Sequence, residues 1–243
     1  MKQRVLVWDM AVRLFHVLFA VGFASAYGIA KLLGEDSPAF PYHAIIGLML
    51  SLLVALRLIW ALIGTRWARF SGLSLSPKHQ LGYFASILSG KGPSYTGHNP
   101  ATSVAMLLMF VGVGGLAWTG LQMGQGNESA KDLHELFANG VLALAAVHIL
   151  GVLLHSIRHR DGIVLGMVDG KKQTDPADGI PSPAVPAAVV GLLILGLFGT
   201  SLMSTYDAAN QTATVPLLGT RLQLGEAEGE GRAGGEHEEE DDD

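Results

Sequence analysis

Nine histidines occur in the chain, at positions 16, 43, 79, 98, 134, 148, 155, 159 and 237. Four of them lie inside or at the ends of strongly apolar runs: His16, His43, His134 and His148. An imidazole in such surroundings can ligate iron through a neutral nitrogen, bond across helices, or handle protons. Spacing narrows the choice. His134 and His148 bracket "HELFANGVLALAAVH". At about 100° per residue, fourteen residues fall roughly 40° short of four turns, so the two share a helix face about 21 Å apart. His43 opens an earlier apolar run at the depth of His134, and His16 lies at the depth of His148. Each level thus holds two imidazoles from different helices. That donor set fills both axial positions of a six-coordinate haem b, and two levels imply two haems.

Other readings compete. A single membrane histidine is as often a hydrogen-bonded packing residue, but two pairs matched in depth and face fit ligation better. A metal ion without porphyrin would want its ligands at one depth. His155 follows His148 by seven residues and shares its face, so spacing leaves it open as the inner ligand; depth favours His148. His155 and His159 are expected near the membrane surface, in reach of haem propionates or quinone. Arg57 lies fourteen residues after His43, and Arg13 lies one turn before His16. Both are candidate partners for the propionates of the inner haem, with snorkelling to lipid headgroups as the alternative.

These side chains need elements to carry them. The chain of 243 residues is 49% hydrophobic and only 15% charged, against about 25% charged in a typical soluble domain. Apolar runs at roughly 11–33, 43–64, 101–121, 136–156 and 184–205 account for the difference. Each can cross about 30 Å of hydrocarbon, which predicts an all-α membrane protein with five transmembrane helices. The first run is too long for a signal-peptide core and carries Arg13 and His16 at its entry, so it is expected to remain. With no cysteine in the sequence, disulfides, iron–sulfur clusters and covalently attached haem are ruled out.

Basic residues cluster on one side: Lys2, Arg4 and Arg13; then Arg57, Arg66, Arg69, Lys78 and Lys91; then Arg158, Arg160, Lys171 and Lys172. The opposite loops, "GEDSPAFPY" and "GNESAKDLHE", are acidic overall. The positive-inside rule places the N-terminus in the cytoplasm and the C-terminus on the far side. Residues 226–243 hold ten acids and one arginine, so the net charge of −5 hides a body of +4. This tail is expected to be disordered. The segments divide as a core over 1–172, a Pro-rich linker over 173–183, a fifth helix over 184–206 and an outer tail over 207–243.

Several stretches together resemble the bacterial cytochrome b561 and nickel-hydrogenase b-type cytochrome family: "WDMAVRLFH", "RLIWALIGTRWARF", "YTGHNP", "HELFANGVLALAAVH" and "MVDGKK", spanning about residues 5–172. The resemblance implies a four-helix transmembrane dihaem bundle, to which the fifth helix is an addition. His16 with His148 and His43 with His134 would be the axial pairs. It implies electron transfer between membrane quinone and a periplasmic or membrane-bound partner, in a bacterial inner membrane.

The expected function is therefore transmembrane electron transfer through two bis-histidine haems b, with quinone as a candidate substrate. The acidic tail fits a cationic partner such as a c-type cytochrome. Rival readings are a haem-bearing anchor subunit of a hydrogenase or dehydrogenase, a quinone-linked oxidoreductase taking a small superoxide-like reductant, and a haem-free transporter or scaffold. A homodimer is compatible with the sequence, and a nucleic-acid partner is not expected.

Overall fold

A computed structural model describes residues 2–89, 95–159 and 164–225. Five of its helices are long and apolar enough to cross a membrane. They are α1 (Met10–Gly28, prolonged by a π turn at Ile29–Leu33), α2 (Phe40–Ile63), α4 (Pro100–Gly124), α5 (Lys131–His159) and α7 (Val185–Ser204). The chain is a multi-pass, all-helical membrane protein, as the apolar runs require. Helices satisfy their own backbone groups, which lipid cannot do.

Local chemistry starts these helices. Asp9 caps α1, its Oδ1 accepting from Val12 N at 2.8 Å. The "HNP" stretch is a helix start as well: Asn99 accepts from Thr102 N at 2.8 Å and Pro100 fills the first turn of α4. Pro41 does the same for α2.

Small residues set the packing. A Cβ on Gly112 would meet Val141 at 2.6 Å, and one on Gly115 would meet the Phe137 ring at 2.5 Å, so α4 and α5 approach closely only through these glycines. Gly22 seats Leu50 of α2 against α1 in the same way. Val54, Val113 and Val141 join α2, α4 and α5, with Phe15, Phe19 and Phe23 alongside. Helix α7 packs outside this group on α1 and α2, through Leu195 beside Leu50 and Leu53. Helix α5 packs mainly on α4, reaching α2 through Val141 beside Val54. A slot remains between α5 and the α1–α2 pair.

Smaller elements close the ends. At the N-terminal end, β1 (Gln3–Leu6) pairs antiparallel with β2 (Lys171–Thr174), which follows the short helix α6 (Gly166–Asp169). Asp9 is fully buried there, and its Oδ2 accepts from Trp60 Nε1 (3.0 Å) and Thr65 Oγ1 (2.5 Å), fastening the start of α1 to the end of α2. The stretch expected to act as a Pro-rich linker is packed in this region. Asp178 accepts from Thr96 Oγ1 at 2.8 Å and, through its carbonyl, from Trp67 Nε1 at 2.8 Å; Ile180 is buried. Helix α3 (Pro77–Ser89) leaves Leu81 and Phe84 exposed on one side, the pattern of a helix lying in the membrane interface. At the opposite end, strands β3 (Thr212–Thr214) and β4 (Arg221–Gln223) form a hairpin. Its Ala213, Val215, Leu222 and Leu224 are buried with Ile45 and Leu202. Hydrophobic burial thus orders the first half of the segment after α7, which sequence reasoning placed in a tail. The acidic stretch 226–243 lies outside the described residues.

Candidate functional site

The slot beside α5 holds the four histidines in two pairs. His16 of α1 faces His148 of α5 with ring centroids 6.4 Å apart. His43 of α2 faces His134 of α5 at 6.1 Å. An iron bound by one nitrogen of each ring at about 2 Å would place the centroids roughly 6.3 Å apart.

At the His43–His134 level, hydrogen bonding decides which nitrogen is available. His43 Nδ1 lies 2.8 Å from Ala26 O, and a carbonyl only accepts, so Nδ1 carries the proton. Thr119 is fully buried and its hydroxyl donates to Gly115 O at 2.7 Å. Its one proton spent, Thr119 Oγ1 accepts from His134 Nδ1 at 2.8 Å. Both rings are therefore left with Nε2 as the free lone pair, the arrangement of a histidine oriented for metal by an outer hydrogen bond. Phe40 stacks on His43 at 5.4 Å. The cavity around this pair has a volume of about 100 Å³, with Tyr27, Met123 and Ala138 among its walls.

Near the N-terminal end, Arg57 is 96% buried. Its Nη2 donates to Ala68 O at 3.1 Å and its guanidinium lies 5.9 Å from the Phe15 ring centre. Its Nη1 has no partner among the described residues. A buried, unpaired guanidinium nitrogen is costly, and an anion such as a haem propionate would satisfy it. Arg13, the other expected propionate partner, is committed elsewhere: its guanidinium donates to the carbonyls of Met167 and Val168. His98 sits in the same region, edge-on to Trp8 at 4.9 Å. Burial lowers its pKa to about 4, with Arg57, His148 and Lys172 pushing the same way, so it is neutral at physiological pH. The side chain of His159 lies outside the described residues.

The paired imidazoles, their spacing, their fixed tautomers and the orphaned arginine all suit iron porphyrin. The model for "Prokaryotic cytochrome b561" matches residues 7–170. The chain belongs to the prokaryotic cytochrome b561 family. This b561-family chain is accordingly a multi-pass membrane protein of haem b electron transfer. It is 24% identical to the "Probable Ni/Fe-hydrogenase B-type cytochrome subunit" of Rhizobium leguminosarum bv. viciae, over 70% of this chain and 90% of that one. It is also 24% identical to the protein of the same description from Bradyrhizobium diazoefficiens, over 71% and 87%. No solved structure matches. The family match stops before α7 and the hairpin.

Thr119 and the Ala26 carbonyl were not foreseen from the sequence. Thr119 is one hydroxyl in a Gly-rich helix, and nothing short of the rotation of α4 against α5 reveals its partner.

Proposed function

We propose that this chain carries electrons across the membrane through two haems b, one held by His16 and His148 and the other by His43 and His134. The observation that carries the reading is the pair of ring separations, 6.4 and 6.1 Å, at two levels of one slot. When bound, each haem iron accepts and releases one electron. The protein's part is to fix the four imidazoles on packed helices, to set the tautomers of His43 and His134, and to keep water out of the slot with aliphatic and aromatic walls. Arg57 would neutralise a propionate of the His16–His148 haem. The membrane is the bacterial inner membrane, with the basic N-terminal end in the cytoplasm and the hairpin and acidic tail in the periplasm. One terminus of electron flow is the quinone pool; the other is a periplasmic redox protein.

The relatives' descriptions favour a second reading of the partner. As a haem-bearing subunit of a hydrogenase, the chain would receive electrons from a bound catalytic subunit. Purification in mild detergent followed by reconstitution distinguishes the two. A stoichiometric catalytic subunit should co-purify under the second reading. Under the first, the lone chain in liposomes loaded with ferricyanide should pass electrons from external quinol to the interior. A chain with bound haem that does neither would overturn the function proposed.

A further inference from the structure

We infer that Lys31 and Lys131 bind the propionates of the haem at His43 and His134; the inference rests on those histidines being its ligands. Neither lysine was singled out by spacing. Both line the cavity that contains the two rings, and they are its only Lys or Arg among the described residues. The rest of its wall is apolar or aromatic apart from Glu35, Glu135 and the Tyr27 hydroxyl. A haem has one charged edge. Charge is costly within the apolar interior of a membrane bundle, so that edge is expected toward the end of the bundle, where the lysines stand.

The local backbone supports this. Helix α1 ends in a π turn, Ile29–Leu33, that carries Lys31 at its centre. Such turns are rare and cluster at functional sites. This one leaves Leu32 and Leu33 exposed while Lys31 lines the cavity. Lys131 starts α5 three residues before His134, hence on roughly the same side.

The present partners of the lysines are exchangeable. Lys31 pairs with Glu135 at 3.3 Å and Lys131 with Glu35 at 2.8 Å, in a crossed arrangement over the cavity mouth. All four side chains are 41–49% exposed, and exposed ion pairs contribute little. Two propionates can take over the two ammonium groups while both carboxylates turn to water. The pairing then resembles that of Arg57 at the other level, where the cation is buried and already lacks a partner.

The test uses the full-length, haem-loaded protein in detergent. Lys31→Gln, Lys131→Gln and the double variant are compared with wild type by redox titration and by resonance Raman spectroscopy of the propionate bending band. Loss of positive charge should favour the ferric state of one haem only. A shift of up to tenfold in its ferric-to-ferrous ratio, about 59 mV for one electron, is expected, together with a moved propionate band. Lys31→Arg and Lys131→Arg should restore the wild-type potential, and Glu35→Gln with Glu135→Gln should not lower it. Unmoved potential and unmoved propionate band in the double variant would overturn the inference. His43→Ala and His134→Ala run in parallel. If they fail to remove one haem, the ligand reading itself has failed; if they remove it while the lysine variants stay silent, only the lysine assignment has.

Discussion

At the scale of the residue, the site depends on which imidazole nitrogen faces the slot. Thr119 is one of the supporting groups. It sits fully buried on α4 with its proton given to Gly115 O and its lone pair to His134. Thr119→Val keeps the shape but leaves His134 Nδ1–H without an acceptor, at a cost of roughly 1–3 kcal/mol. His134 should then lose its fixed tautomer, and haem at that level should be retained roughly 10–100-fold less tightly. Thr119→Ser should behave as wild type. Haem-to-protein ratios after dilution and gel filtration measure this; equal retention by Thr119→Val would show that the hydroxyl only packs. That His134 and His148 lie on one face of α5, near His43 and His16 respectively, was readable from helical periodicity and depth. The supporting bonds were not, since Ala26 contributes through its backbone and Thr119 through a contact fifteen residues from His134.

At the scale of the element, glycines decide how near α5 lies to α4, and so how wide the slot is on its other side. Gly115→Val would drive new methyl groups into Phe137, whose ring atoms already lie 2.5 Å from a Cβ built there. Overpacking of this kind costs roughly 1–3 kcal/mol. Because Phe137 is one turn from His134, the variant should lower both the thermal midpoint in detergent and the haem content at that level. A drop in stability with full haem content would show that the slot tolerates the displacement. The five membrane helices were legible because each must be apolar for some twenty residues to cross lipid. The short strands were not. β1 and β2 are four residues each, and Gln3 pairs with Thr174 across the whole family-matched region. Four-residue strands with Lys and Gln carry no alternating signal strong enough to announce such a pairing. The hairpin after α7 is hidden for the same reason, although Leu222 and Leu224 bury against Ile45 and Leu202 once it forms.

At the scale of the whole molecule, α5 provides one histidine to each pair, and α1 and α2 provide the others at opposite depths. On the function proposed, these four helices hold two redox centres; α7 adds a flank on α1 and α2, and the hairpin adds a cap at the end opposite the N-terminus. The measurement that bears most directly on this arrangement is the number of haems per chain, together with the effect of each histidine on it. Quantitative haem extraction and redox titration of the wild type should give two haems b with separable potentials. His16→Ala and His148→Ala should each remove or shift one component, and His43→Ala and His134→Ala the other. A single haem per chain, or variants that group in any other way, would contradict the account.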